Sequence, residues 1–153
     1  MIETQQQLQQ VFRDNFMVYY RTHVAHVNVV GHNFYGNHKL FGKIYEHLQE
    51  NTDVLAELLR SLGEMMPATL DSVIGGSTIP DDPCVGTAED MLYKVQEGLQ
   101  ELDSAYQELV RVSTAESIDE ITDYAQGEIR VLRKYLWMLD ATLTPDAMTL
   151  GAM

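Results

Sequence analysis

The hydrophobic residues of this chain recur at intervals of three and four along four long segments, which is the period of an amphipathic α-helix. The segments cover about residues 4–30, 37–62, 87–112 and 117–141. The third segment is the most regular, with inward-facing candidates at Leu92, Val95, Leu99, Leu102, Tyr106 and Leu109. No segment shows the alternation of apolar and polar residues that marks a β-strand. The pattern therefore predicts an all-α protein.

Helix-ending and turn-forming residues separate these segments. Gly63 is placed to end the second predicted helix, and Thr87 to cap the third. Ser117 and Glu120 have the spacing of a capping box at the start of the fourth. Residues 64–86 hold three of the four prolines, so they predict a long crossover, with a short helix over about residues 68–74. We expect one domain over residues 1–153, a four-helix bundle with one long crossover.

The composition limits what the protein can do. The chain has 153 residues, 45% hydrophobic and 22% charged, which is enough for a hydrophobic core. Its formal net charge of −13 disfavours nucleic acid and anionic lipid and suits cations, although a soluble, self-repelling surface is the simpler explanation of the charge alone. No apolar run approaches the ~20 residues of a membrane span. The lack of a signal-peptide pattern and the single cysteine, Cys84, favour a cytoplasmic protein without disulfides.

Histidines and carboxylates at helical spacing are the main candidates for chemistry. His26 and His38 flank the predicted turn between the first two helices. Asp53 and Glu57 lie four residues apart, on one face of the second. Fifteen residues separate His38 from Asp53, a rise of ~22 Å, whereas ligands lie ~2.0–2.2 Å from a metal. Either these residues form no common site, or the carboxylates come from a neighbouring subunit of a symmetric dimer.

A di-metal site inside a single bundle is not expected. In the common di-iron bundles, two of the helices each carry a Glu followed three residues later by His. No Glu in this chain is followed by His at that interval. The sequence therefore does not predict a di-metal centre in the middle of its own bundle.

The segment HVNVVGHNFYGNHKLF (residues 26–41) and the carboxylates that follow it resemble the signature of the Dps family, the DNA-binding proteins from starved cells, or miniferritins. Every interval of that signature is kept, at His26, Asn28, Gly31, Phe34, His38, Phe41, Asp53 and Glu57. The similarity continues in ELLRSLG (residues 57–63) and RKYLWMLDATL (residues 133–143), and it covers essentially the whole chain. The resemblance implies a ferritin-like four-helix bundle whose crossover carries a short helix.

The resemblance also implies a function. Members of the family assemble as hollow dodecamers, with ferroxidase centres at two-fold interfaces. Carried over, His26 and His38 are nitrogen ligands from one subunit, and Glu57 and Asp53 are carboxylate ligands from its neighbour. The implied reaction is oxidation of Fe(II), preferably by hydrogen peroxide, with ferric mineral stored in the cavity as protection against oxidative damage. Two nitrogens and two carboxylates also suit Zn(II) or Mn(II).

Two positions depart from the family pattern. Val27 stands where the family usually has Trp, and Gly42 stands where it usually has an Asp ligand of a second metal. A shell that binds metal without full ferroxidase activity is therefore the alternative function. His23, one helical turn before the first ligand, is a candidate substitute donor, or else a packed helix residue. We interpret His32 and His47 as surface histidines.

Charge separates this chain from the DNA-binding members of the family. Those members often use Lys- and Arg-rich termini, but here no basic residue precedes Arg13 or follows Lys134. Together with the net charge, this predicts no strong direct binding of DNA at physiological salt.

Three further acidic residues match a feature of the family shell. By their offset from Trp137, Asp119, Glu120 and Asp123 correspond to acidic residues near three-fold pores, where they could attract Fe(II). Acidic residues also favour the start of a helix, which explains Asp119 and Glu120 equally well.

Overall fold

The computed structural model describes residues 2–146. These residues form five helices and no strand: α1 (Glu3–Asn28), α2 (Phe34–Ser61), α3 (Leu70–Gly76), α4 (Ala88–Ala115) and α5 (Asp119–Leu143). The predicted all-α class and the short helix in the crossover are confirmed. The outer limits of the predicted domain, Met1 and Met153, lie outside the described residues. None of the described helices has the length and apolar content needed to cross a membrane.

Hydrogen bonds between distant residues establish how the long helices run. Near the start of α1, the Gln5 side-chain amide donates to the Leu62 carbonyl just after α2, at 2.7 Å. In the middle of α1, the Asn15 amide donates to the Leu48 carbonyl at 2.9 Å. Because residues later in α1 bond to residues earlier in α2, the two helices are antiparallel. Hydrogen bonds between α1 and α4 and between α4 and α5 show that these two pairs of helices are antiparallel as well. The predicted four-helix bundle with one long crossover is confirmed.

The predicted inward positions build the core of this bundle. All six candidates on α4 are buried, and they meet buried leucine, valine, isoleucine and phenylalanine side chains of α1 and α2. On α5, Ile121, Ala125, Leu132 and Leu139 are buried, whereas Leu136 is only partly buried against the core. Each fully buried Leu or Ile stabilises the fold by ~1.5–3 kcal/mol relative to an exposed one. This packing fixes the spacing of α1 and α2, which carry the candidate site.

Two of the three predicted helix ends are confirmed. Gly63 has φ +89° directly after the end of α2, where its N–H donates to the Arg60 carbonyl and the next N–H donates to the Leu59 carbonyl. This pair of bonds is a Schellman motif, which requires a left-handed residue and so favours glycine. Thr87 caps α4, since its hydroxyl accepts from the Asp90 N–H.

The predicted capping box at Ser117 is wrong. Ser117 has φ +58° and serves the end of α4 instead: its N–H donates to the Thr114 carbonyl, and the Ile118 N–H donates to the Ser113 carbonyl. The turn between α4 and α5 is so short that Ser117 must close the Schellman motif of α4. Ile118 takes the cap position of α5 without a side-chain hydrogen bond, and α5 begins at Asp119.

Candidate metal-binding site

A short turn between α1 and α2 brings the two histidines together. α1 ends at Asn28, and α2 begins at Phe34, both slightly earlier than the sequence predicts. Gly31, at φ +117°, reverses the chain, and its carbonyl accepts from the Phe34 N–H at 3.1 Å. His26 therefore lies in the last turn of α1, opposite His38 in the second turn of α2.

The imidazoles of His26 and His38 form a close, stacked pair. Their ring centroids are 3.8 Å apart with an interplanar angle of 17°. Each ring is anchored through Nδ1: His26 Nδ1 bonds to the His38 carbonyl, and His38 Nδ1 bonds to the His26 carbonyl, both at 2.7 Å. The His26 carbonyl is one of the last four of α1, which have no partner within the helix. These two reciprocal hydrogen bonds therefore join α1 and α2 at this turn.

These two hydrogen bonds determine the tautomer of both rings. A carbonyl oxygen only accepts, so each Nδ1 must carry the hydrogen. In a neutral imidazole the other nitrogen, Nε2, then keeps its lone pair. Metal-binding histidines are commonly oriented in this way, by donating the second ring N–H to a backbone carbonyl. The Nδ1–H of each ring thus holds α1 and α2 together at the turn. The lone pair on each Nε2 is left to bind a metal ion.

Gly42 lies directly against the His26 ring. A Cβ atom at position 42 would be 3.1 Å from both Nδ1 and Cε1 of His26, tighter than most side-chain contacts. Residue 42 is buried in α2. The His26 imidazole packs directly on the backbone of Gly42, so it fills the space that a side chain at position 42 would occupy.

His23 lies beside the pair as a packed residue. Its ring stacks on Tyr45 at 4.2 Å and 4°, and its Nδ1 is 3.3 Å from the Tyr19 hydroxyl. Its ring centroid is 6.3 Å from that of His26. The packed role of His23 is confirmed, and its role as an extra ligand remains a proposal. His32 is exposed within the turn, as predicted.

Asp53 and Glu57 present an exposed pair of carboxylates on α2. A hydrogen bond from one carboxyl to the other, with the repulsion between their charges, raises the pKa of Glu57 above its usual value. A divalent cation between two such carboxylates relieves the repulsion between their charges. The pair has the chemistry of a half-site for a hard cation.

One chain keeps the histidines and the carboxylates apart. α2 is continuous from Phe34 to Ser61, so the ~22 Å rise between His38 and Asp53 holds. Within residues 2–146, no group of three or more His, Cys, Asp or Glu side chains is arranged to hold a metal ion. The structure brings His26 and His38 together, and Asp53 and Glu57 together, but not one pair with the other.

The three acidic residues at the start of α5 are all exposed. Asp119 and Glu120 lie in its first turn, where they interact favourably with the helix dipole, and Asp123 follows one turn later. Their assignment to a pore remains a proposal.

Sequence reasoning missed a buried polar network between α2, α4 and α5. His47, predicted to be a surface residue, is partly buried and bonds through Nε2 to Glu128 at 2.8 Å. The Asn51 side chain also bonds to Glu128, at 3.2 Å, and to the Tyr106 hydroxyl, at 2.7 Å. Tyr124 completes the network by donating to Asn51. The signal in the sequence was a polar Asn at an inward-facing position of the second helix.

The His47–Glu128 pair predicts a pH dependence of stability. The hydrogen bond to Glu128 raises the pKa of His47 above 6.5, although burial opposes the shift. Since the pKa is higher in the folded state than in the unfolded state, this stabilisation is complete below pH 6.5 and is lost as the pH rises through the folded value. Chemical denaturation of the metal-free protein at about pH 6 and about pH 8.5 measures the loss. We expect a smaller loss in His47→Gln, and equal losses in both proteins would contradict this assignment.

Comparison with known proteins agrees with the fold. A family model for the ferritin-like domain matches residues 5–148. The DNA protection during starvation protein of Helicobacter pylori is 28% identical over 131 residues, 85% of this chain and 91% of that protein. The protein of the same name from Brevibacillus brevis is 30% identical over 128 residues, 83% of this chain and 85% of that protein.

A solved structure shares the fold of this chain. The Dps protein of Vibrio cholerae O1, described as a member of a broad superfamily of ferritin-like diiron-carboxylate proteins, superposes with a TM-score of 0.88. It is 20% identical and covers 93% of this chain and 89% of that one, a likeness that shows the fold. The bundle, its crossover and the family model together define a ferritin-like protein. Within that class, the chain belongs to the Dps family of miniferritins.

Proposed function

We propose that this protein is an iron-sequestering miniferritin that binds and oxidises Fe(II) at sites shared between two subunits. The observation that supports this most strongly is the reciprocal bonding of His26 and His38, which leaves Nε2 as the lone-pair nitrogen of both rings. Nitrogen donors from one chain, with Asp53 and Glu57 from its neighbour, form a set that suits Fe(II). A two-fold axis would unite the half-sites that one chain keeps apart.

The proposed reaction is oxidation of Fe(II) by hydrogen peroxide. Fe(II) is a substrate that enters, gives up an electron and leaves the site as ferric ion for mineral stored inside a hollow dodecamer. The carboxylates neutralise the cation, and the imidazoles hold it without adding charge. Asp119, Glu120 and Asp123, exposed together at the start of α5, are proposed to line the entry pores and raise the local concentration of Fe(II).

Anaerobic titration with Fe(II), followed by peroxide, tests this function. We expect saturable binding and rapid oxidation by the wild type, and loss of both in the double variant His26→Ala/Glu57→Ala. His32→Ala is the matched control, because it removes an exposed histidine from the same turn and should leave both properties unchanged. Equal oxidation by the double variant would rule out the assigned site. Sedimentation that finds only a monomer would rule out sharing between subunits.

Gly42 supports the second candidate, a shell that binds metal with little ferroxidase activity. The glycine supplies no carboxylate for a second iron, and the His26 ring occupies the space beside it. In this case the wild type would bind Fe(II) or Zn(II) at the same residues but would not accelerate peroxide consumption. Under either function we expect no strong direct binding of DNA, because a net charge of −13 on each chain repels phosphates.

A further inference from the structure

A cleft of about 560 Å³ lies between α1, α3 and the end of the crossover, and none of its lining residues is a proposed metal ligand. Apolar side chains of α1 (Phe16, Tyr20 and Val24) and of α3 (Leu70 and Ile74) form much of its wall. Small-molecule sites in proteins have volumes of roughly 300–1,000 Å³ and are mostly apolar, with a few polar groups. The size and walls of this cleft therefore fit a small molecule with an apolar body.

A buried positive charge lines the same cleft. Arg21 is only 6% exposed, and it is the one buried cationic side chain among residues 2–146. Its Nη1 donates to the Lys94 carbonyl at 3.0 Å, and its Nη2 donates to the Pro80 carbonyl at 3.1 Å. Within the described residues, Arg21 forms no ion pair with a carboxylate. A guanidinium has five N–H donors, and buried charges are normally paired, so Arg21 can still bind an anion.

The acidic residues of the cleft do not neutralise this charge. Asp81 and Asp82 are both exposed, and Asp82 pairs with Lys94 at 3.3 Å. The negative charges of the cleft thus face solvent, where water and salt weaken them, whereas the positive charge of Arg21 is buried. A ligand that enters the cleft meets an uncompensated cation next to apolar walls.

We propose that this cleft binds a free carboxylic acid with an unbranched apolar body, of the medium-chain fatty acid type. The carboxylate accepts charge-assisted hydrogen bonds from the Arg21 guanidinium, and these are stronger than bonds between neutral groups. The apolar body lies against the side chains of α1 and α3 and is removed from water. This site is separate from the candidate metal site and does not depend on the proposed function.

The first test compares three probes that share one alkyl chain: decanoate, decanol and decylammonium. Isothermal titration measures their binding to the assembled wild-type protein. A net charge of −13 on each chain favours non-specific binding of the ammonium and opposes that of the carboxylate. We expect decanoate nevertheless to bind at about one molecule per subunit, about tenfold more tightly than either other probe. Equal binding of the three probes, or tighter binding of decylammonium, would overturn the proposal.

Cys84 shows where the probe binds. It is the only cysteine of the chain, it is 4% exposed, and it lines the cleft. The measurement is the rate at which N-ethylmaleimide alkylates Cys84, followed by mass spectrometry of the whole protein. We expect saturating decanoate to slow this reaction several-fold, and decylammonium at the same concentration to leave it unchanged. Decanoate that binds without protecting Cys84 would lie elsewhere, and the assignment to this cleft would be wrong.

Arg21→Gln removes the charge that the proposal requires. We expect decanoate and decanol to bind this variant with equal affinity, because only the apolar contacts remain. Circular dichroism establishes that the variant is folded, since Arg21 also holds the backbone at Lys94 and Pro80. A folded Arg21→Gln protein that still prefers decanoate over decanol would contradict the role of Arg21.

A second pair of variants leaves Arg21 in place. Leu70 lines the cleft but is 64% exposed, so replacing it should not unfold the protein. Leu70→Glu and Leu70→Gln have side chains of nearly equal size and differ in charge. We expect Leu70→Glu to bind decanoate several-fold more weakly than Leu70→Gln does, and both to bind decanol equally. The same affinity for decanoate in both variants would show that the carboxylate does not enter this cleft.

Discussion

Two inactive variants, His26→Ala and Glu57→Ala, are expected to restore about a quarter of the wild-type rate of Fe(II) oxidation when they assemble together. Under the proposed function, each variant alone should be inactive, because every proposed two-fold site then lacks either a nitrogen ligand or a carboxylate ligand. In a mixed dimer, one of the two sites combines the intact His26 of one chain with the intact Glu57 of the other. The second site lacks both residues.

The fraction follows from random pairing. In a mixture of equal amounts, half of the dimers are mixed, and half of the sites in each mixed dimer are intact, which gives about a quarter of all sites. The measurement is the initial rate of Fe(II) oxidation by peroxide in co-expressed assemblies, normalised to total protein.

A pair of variants on the same half-site provides the control. Co-assembly of His26→Ala with His38→Ala should restore nothing, because each site of a mixed dimer then takes both histidines from one altered chain. Restoration by this pair, or its absence in the pair of His26→Ala and Glu57→Ala, would contradict a site shared across the two-fold interface.

The second large effect is expected from Gly42→Asp, which should increase the Fe(II) bound per subunit by about one ion, since it supplies the missing carboxylate beside His26. Without metal, the variant buries an unpaired carboxylate in a crowded place, which costs on the order of several kcal/mol of folding free energy. Bound metal should reverse this loss, because a ligand that binds only the folded state raises its stability. Isothermal titration with Fe(II), performed anaerobically, and thermal unfolding with and without Zn(II) measure the two effects.

Gly42→Ala isolates the contribution of the carboxylate. Both variants place a Cβ atom 3.1 Å from the His26 ring, so they share the same crowding. In the helix interior, alanine also regains ~1 kcal/mol of helix propensity relative to glycine. Gly42→Ala should therefore bind no additional metal and gain no additional stability from Zn(II). If Gly42→Asp and Gly42→Ala bind equal amounts of metal, position 42 does not limit the site.

The sequence by itself determined the helical class, the crossover and the two halves of the candidate site. These features are local: a helix has a fixed rise and period, so spacing alone predicts that Asp53 and Glu57 share a face and that His38 lies ~22 Å from Asp53. The same reasoning predicted the glycine that ends α2. It failed at Ser117. The turn between α4 and α5 is too short to hold one residue that ends α4 and another that caps α5, and Ser117 ends α4.

Only the tertiary structure decided how the side chains are used. The pairing of each Nδ1 with the carbonyl opposite, the packing of His26 on Gly42 and the stacking of Tyr45 on His23 are contacts between α1 and α2, so neither helix contains the information alone. His47 became a partly buried partner of Glu128 for the same reason, since α2 and α5 are brought together by the packing of the whole bundle. Helix spacing is set by the local backbone, whereas tautomer, burial and ring stacking depend on neighbours that are distant in the chain.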